Sequence, residues 1–210
     1  MRTIFYYTVL TLESILGAFG IRMYEQPSYQ IIDRLDHGIE IRHYATRLAA
    51  EVDQPGDDNA DAGKAFRLLF DYIAGANLTA DEASAKIAMT APVVVHTPSK
   101  IATTDPVLRS ETDEHLRMLF FMPSSLTQAT APKPTDPRVK LIMVPDETVA
   151  VLRFSGSYDS DATYETALMR ALGVGRWQPT GEPYMLFYDP PFTIPMLRRN
   201  EAVVAVERRH

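Results

Sequence analysis

The sequence predicts an α+β domain: a largely antiparallel, curved sheet or barrel, built from two similar halves and flanked by two helices. Three observations carry this prediction. Short β-rich runs separated by turn residues fill most of the chain after Tyr29. Two longer stretches place their apolar residues on one face, at spacings of three and four. The succession strand, turn, strand, helix, strand, strand occurs twice. A helix with a single apolar face must bury it against another layer, so each helix is expected to cover a sheet.

The first half opens with the strands "YQIIDRL" and "IEIRHYA", joined at "DHG", a hairpin-turn composition, and "RLAAEV" follows as a third strand. The loop "QPGDDNADAG" leads into the first helix, where Ala62, Phe66, Leu69 and Ile73 share a face. Asp57, Asp58 and Asp61 gather at its N-terminus, where negative charge meets the positive end of the helix dipole, and Gly75 is placed to cap the other end. Asp57, Asn59 and Asp61 have the alternate spacing of the first ligands of a calcium loop. The required turn glycine falls on Ala62 and the closing acid on Leu68, so calcium is excluded there.

Next comes "KIAMTAPVVV", which opens like a strand, is broken at Pro92 and resumes as valines. Proline offers no N–H to a central ladder, so the break marks an edge or a bend. The loop "HTPSKIATTDPVLRSETDE" and the strand "HLRMLFFM" complete this half. In the second half "RVKLIMV" and "TVAVLRFSG" are strands separated by a "PDE" turn. A helix starting near Ser160 places Tyr164, Leu168 and Leu172 on one face, with Gly173 after it. "PYMLFYD" and "NEAVVAV" are the last strands, and "IEIRHYA" and "VAVLRFS" are expected to play equivalent parts in the two halves.

Residues 4–21, "IFYYTVLTLESILGAFGI", are foreign to this pattern. Following Arg2, they read as a signal anchor or export signal, although Glu13 and Ser14 interrupt them and no A-x-A site follows. The other reading is a helix docked on the domain through Leu12, Ile15, Leu16 and Phe19. The first, with membrane association through residues 4–21 and a place in the cell envelope, is slightly favoured over docking in a cytoplasmic protein.

Composition excludes several functions. The 210 residues, 46% hydrophobic and 23% charged, suit one domain or two fused halves. A net charge of −6 with no lysine- or arginine-rich run argues against a nucleic-acid partner. The absence of cysteine removes disulfides, thiolate metal sites and cysteine nucleophiles. His37, His43, His96, His115 and His210 are never three or four residues apart, so no local multi-histidine metal site forms. No nucleophile elbow, phosphate loop or H-E-x-x-H occurs, and "GVGRW" is a helix end. Pattern alone stops at a binding domain with an apolar groove and no catalytic residues.

Four stretches go further. "KIAMTAPV" resembles the K-I-x-M-T-x-P-V signature of the SOUL heme-binding proteins. "IEIRHYA", "FMPS…PKPTDPRVKL" and "YDPPFTIPMLRRNEAVVAV" agree with the same family in the same order. The resemblance covers about residues 25–207, which divides the chain into a hydrophobic segment, 1–22, and a SOUL-like domain, 23–210. It implies a distorted antiparallel β-barrel of two related halves flanked by two helices. It also implies non-covalent binding of heme or another tetrapyrrole, with no firmly established enzymatic role. Within "KIAMTAPV" a structural role is expected, with Thr90 hydrogen-bonded to backbone.

Heme is a broad apolar disc with two propionates and an iron that accepts an axial ligand. The resemblance points to the first helix, through Phe66, Leu69, Phe70 and Ile73, and to the loop near the C-terminus, through Phe192, Ile194, Met196 and Leu197, as cleft walls. Rim cations would be Lys64, Arg67, Arg198 or Arg199. Asp71 stands where some members carry a basic residue, a departure that weakens the usual propionate pairing. Period-2 alternation puts His43 on one face with Ile39 and Ile41. It is either a hydrogen-bonded core residue or the heme iron ligand, the role implied for the histidine of R-H-Y in one branch of the family. Two other functions stand beside heme binding: an effector-type module for another apolar small molecule, resembling the gyrase-inhibitor type, and a tetrapyrrole-processing enzyme.

Overall fold

The computed structural model describes residues 24–56, 59–96, 115–156, 161–173, 175–189 and 193–209. The first half contains β1 (Tyr29–Arg34), β2 (Ile39–Tyr44), β3 (Arg47–Pro55), α1 (Asn59–Ala74), β4 (Asn77–Leu78), β5 (Val93–His96) and β6 (His115–Phe121). The second contains β7 (Lys133–Pro134), β8 (Val139–Val144), β9 (Glu147–Phe154), α2 (Asp161–Leu172), β10 (Trp177–Pro179), β11 (Tyr184–Phe187) and β12 (Asn200–Arg208). Ten strands form one sheet in the order β1-β2-β9-β12-β11-β5-β6-β3-β8, with β10 also paired to β12. β4 and β7 form a separate ribbon. The pairings are antiparallel, and the fold is α+β as expected.

Two short links force the sheet to curl. β2 and β3 lie six positions apart in the strand order, which would be about 29 Å in a flat sheet at ~4.8 Å per strand. Yet only Ala45 and Thr46 separate them, and the three steps from Tyr44 to Arg47 span at most ~11 Å. β8 and β9, also six positions apart, are joined by Pro145 and Asp146 alone. Only a half-barrel satisfies both links. Arg47 of β3 accordingly bonds Glu147 of β9 across the curl, and its guanidinium lies 4.2 Å from the Tyr44 ring and 4.4 Å from that of Phe121.

This order corrects two expectations. β1 and β2 form the hairpin read at "DHG", with His37 (φ 60°) and Gly38 (φ 75°) left-handed in the turn. β8 and β9, although adjacent in sequence, do not pair: β8 pairs with β3, and β9 pairs with β2 and β12. Read inward from the two ends, β2-β9-β12-β11 meets β8-β3-β6-β5. In that order the counterpart of β2 is β8, and the counterpart of β9 is β3. "IEIRHYA" and "VAVLRFS" are therefore not equivalents but neighbours, with Ile41 opposite Ala150.

Three apolar clusters hold the layers together. Ala65, Leu69, Tyr72 and Ile73 of α1 pack on Ala50, Val52, Leu116 and Phe120. Leu168 and Leu172 of α2 pack on Ile39, Ile41, Ala150 and Val204. The third cluster, with Tyr44, Ala49, Val94, Leu119, Val151 and Val203, fills the inside of the curl. Both faces of β3 and of β12 are covered, so residues 48–52 and 200–204 are buried without alternation. At the end of α1, Gly75 (φ 132°) and Ala76 both donate to the Asp71 carbonyl, as its capping role requires.

The stretch before Pro92 is not a strand. β5 begins at Val93, and the cis bond between Ala91 and Pro92 precedes it. Thr90 donates its hydroxyl to the Phe121 carbonyl, and the Ala91 amide donates to the Glu25 carbonyl at 2.9 Å. The signature thus ties the start of the described chain to β6, and Thr90 has the backbone partner expected of it.

One carboxyl makes the fold sensitive to pH. Burial, and after it the Glu182 carboxylate, push Glu165 on α2 up from 4.5 to about 7. The folded chain keeps a proton there that the unfolded chain releases. The associated stability is complete below about 4.5 and is lost as pH rises through about 7. Glu165→Gln is expected to flatten this part of the profile between about pH 5 and about pH 8. Thermal melts check it, and equal losses in both proteins would remove the assignment.

Candidate functional site

α1 presents more than its buried stripe. At 100° per residue, Phe66 and Phe70 sit on one flank of that stripe, and Leu68 and Asp71 on the other. Phe66 is 37% exposed and Phe70 46%. Their rings stack at 6.2 Å, and Phe66 meets the Phe120 ring edge-on at 5.3 Å. Phe120 belongs to a row that crosses the sheet, Phe187 opposite Val93 opposite Phe120 opposite Ala50. Directly paired residues share a face, so Val93 and Phe187, both half-buried, continue this row, Val93 against the cluster under α1 and Phe187 against the cluster under α2. From the end of β11 at Phe187 the chain runs on to the turn at 193–197, which exposes Ile194, Met196 and Leu197.

The sequence-derived candidates do not gather into one site. Leu69 is fully buried and Ile73 nearly so, both in the core under α1, because they lie on the stripe itself. Phe192 lies outside the described residues, as do residues 4–21. Arg198 is 9% exposed and donates from Nε to the Thr193 carbonyl at 2.9 Å, closing the turn. Arg199 is held by Glu201 through Nη2 at 2.7 Å and lies 3.9 Å over the Tyr188 ring. These two arginines serve the fold and not a rim. Lys64 pairs with Asp61 at 2.8 Å, while Arg67 is exposed on the flank next to Phe70. His43 approaches Thr148 Oγ1 at 3.3 Å on β2, on the face whose Ile39 and Ile41 pack under α2 and not α1.

A polar cluster inside the curl was missed. Glu201, wholly buried, accepts from Arg42 Nη1 at 2.9 Å, from Tyr188 Oη at 2.7 Å and from Arg199. Burial, and then the Glu201 carboxylate, push the Tyr188 phenol well up. The available signal was a glutamate in the otherwise apolar run "NEAVVAV", which needs a partner if its face is covered. Every oxygen of Glu201 is occupied by fixed donors, which is the arrangement of a structural ion cluster. Nearby, His96 stacks on Tyr184 at 4.4 Å, and burial followed by Arg117 holds its imidazole down at about 4.

A cleft of about 270 Å³ lies on the other flank of α1, lined by residues that include Leu68, Asp71, Tyr72 and Asp136. Hydrogen bonds from Arg138 hold the Asp136 carboxyl down at about 2. Two acids at its wall disfavour a dianionic ligand, so the Phe66 and Phe70 flank is the better match for an apolar disc. Among the described residues, no group of three or more potential metal ligands comes together.

These features define a two-helix α+β half-barrel with an exposed aromatic flank above an apolar sheet row. The chain belongs to the SOUL heme-binding protein family, whose model matches residues 24–205. The expected resemblance therefore holds over most of the chain. No curated protein matches it. Among solved structures, the C-terminal domain of EcmrR is similar, with a TM-score of 0.59 at 12% identity over 86% of this chain and 99% of that one. An uncharacterized conserved protein from Listeria innocua gives 0.55 at 13% identity, covering 89% and 95% of the two chains. A hydrolase from the same organism gives 0.52 at 11%, covering 88% and 93%. At such identities the likeness extends to the fold alone.

Proposed function

We propose that the protein binds heme or a related tetrapyrrole, non-covalently and without turning it over, against the exposed flank of α1. The observation that carries this reading is the stacked Phe66–Phe70 pair above the Phe120–Val93–Phe187 row, in a chain of a heme-binding family. Exposed stacked rings over an apolar floor suit the face of a macrocycle. The turn with Ile194, Met196 and Leu197, exposed and next along the chain after β11, is this reading's candidate for a second apolar wall. Arg67 is the cation best placed for a propionate, and Asp71 beside it disfavours tight pairing. The fit is to the disc. His43 lies on the face of β2 whose Ile39 and Ile41 pack under α2, so the reading assigns it no part in the flank of α1.

The test is absorbance titration with hemin and with metal-free porphyrin. Both are expected to bind, since the disc carries the affinity. Phe66→Asp is expected to weaken binding about tenfold or more while leaving the melting temperature nearly unchanged, because a charge there remains hydrated. His43→Ala is expected to leave the ferric heme spectrum as it is. Equal binding by the Phe66 variant would move the site elsewhere, and loss of a low-spin histidine signature in the His43 variant would restore that residue as ligand. Conversion of metallo-tetrapyrrole to free base would make the protein an enzyme instead.

A further inference from the structure

We infer that the free edge of β8 is a self-association surface. Two copies of this chain pair their β8 strands antiparallel, with the two-fold axis at Ile142, and so join their sheets edge to edge. β1 and β8 end the strand order of the sheet, and the two edges differ. β1 is blunted. Its ladder slips between Ile31 and Asp33, and the Asp33 carboxylate is held by Trp177 Nε1 at 2.7 Å and by Arg176 Nη2 at 2.6 Å. β8 keeps an unbroken register with β3 over six residues, contains no proline, and has no strand on its outer side among the described residues. Its counterpart β2 carries β1 on the equivalent edge, so the fold accommodates a strand in that position.

The main chain fixes which groups are free. The Met122 amide donates to the Leu48 carbonyl at 2.9 Å, so Leu48 points toward β6. Successive residues of a ladder point to opposite neighbours, so Ala49 points to β8 and its partner Ile142 points back. Leu141 and Met143 therefore turn their N–H and C=O groups away from the sheet. A single antiparallel register between two copies pairs all of these groups. With Ile142 opposite Ile142 of the second copy, each Leu141 faces a Met143 and both exchange N–H and C=O. A two-residue slip one way sets Leu141 against Pro145, which has no N–H. The opposite slip sets Met143 against Val139, whose amide already donates to the Asp136 carbonyl at 3.1 Å.

Side chains and charges suit the same register. Leu141 packs against the cluster under α1, while Met143, on the same face, is 43% exposed. Opposite Leu141 of the second copy, Met143 is covered. On the other face Ile142 meets its own copy. One step beyond the strand, Arg138 falls opposite Asp146, which is exposed in the link to β9, and Lys140 lies diagonal to that acid. Opposite charges thus meet at both ends, and no like charges do. The surface is separate from the Phe66 and Phe70 flank, so the inference does not rest on the tetrapyrrole reading. A single strand pair is a small interface, so the dimer is expected to be weak, with a Kd on the order of 10 µM.

The chain has no cysteine, so single cysteines in the full-length protein report the register. Facing residues of a pair without hydrogen bonds have Cα atoms about 4.5 Å apart, within reach of a disulfide. Ile142→Cys is expected to oxidise to a covalent dimer. Met143→Cys is not, because the two copies of residue 143 stand about 8–9 Å apart in this register. Sedimentation equilibrium at up to about 100 µM is expected to show the dimer of the unmodified chain. Met143→Pro, which removes only an outward N–H, is expected to weaken it about tenfold or more with little change in melting temperature. Asp146→Lys, at an exposed position off the ladder, is expected to weaken it by charge alone. The inference is overturned by a chain that stays monomeric, by a dimer that either variant leaves unchanged, or by Met143→Cys linking as readily as Ile142→Cys. Slow hydrogen exchange of the Leu141 and Met143 amides in a monomer would also overturn it, since another segment of this chain would then lie on β8.

Discussion

Glu201→Ala is expected to destabilise the fold by about 3–5 kcal/mol, the scale for breaking a buried ion cluster by removing one partner. Glu201 is wholly buried on β12 and accepts from Arg42, Arg199 and Tyr188. Without it, two guanidinium groups remain inside the curl with no shared anion. Arg42 retains Glu40, at 2.8 Å, and the Tyr29 ring, at 4.3 Å, but Arg199 retains only neutral partners among these contacts. Glu201→Gln keeps the shape and one acceptor, and should cost less. Urea unfolding of the two variants measures this. A loss below about 1 kcal/mol for the alanine variant would mean that water enters the curl and hydrates the arginines.

Leu69→Ala is expected to cost about 2–5 kcal/mol, with no selective effect on ligand binding by the variant while folded. Leu69 is fully buried, at 0% exposure, with Ala65, Tyr72 and Ile73 of the same helix over the sheet. Its removal leaves a cavity under a helix that has no other layer to close it. Phe70→Ser, one position along and half exposed, is expected to move stability by under about 1 kcal/mol and binding by much more. Denaturant unfolding and porphyrin titration on the same pair of variants separate the two roles. If Leu69→Ala weakens binding while Phe70→Ser does not, the aromatic flank is not the site.

The contrast between Leu69 and Phe70 marks how far the candidate site was legible. Helical spacing showed which α1 residues lie near one another, and the resemblance pointed to the helix and to the turn near the C-terminus. Neither could tell the stripe from its flank, because Phe66 sits only 60° from Leu69 around the helix and both are apolar. For Arg198 and Arg199 the failure is of another kind. A cation in sequence looks available to a ligand, and only packing shows that Arg198 closes its own turn and that Arg199 neutralises a buried acid. Thr90 was legible because a threonine hydroxyl at a break in a strand is readily taken up by backbone.

By itself the sequence determined the α+β class, both amphipathic helices, most strands, the "DHG" hairpin and the family. Each of these rests on local information: periodicity within a dozen residues, turn chemistry, and a signature of eight. The tertiary structure alone decided which strands meet. β8 follows β3 in space and β2 lies on β9, so each half lends a strand to the other, and nothing in a strand's own residues names its partner. Two-residue links between strands six positions apart then close the sheet into a half-barrel. That curl buries Glu201 with Arg42 and Arg199, while His43 falls on the face of β2 whose Ile39 and Ile41 pack under α2. Pairing and curl are set by the sum of many weak contacts between distant segments, which is why they are decided only when the whole chain is packed.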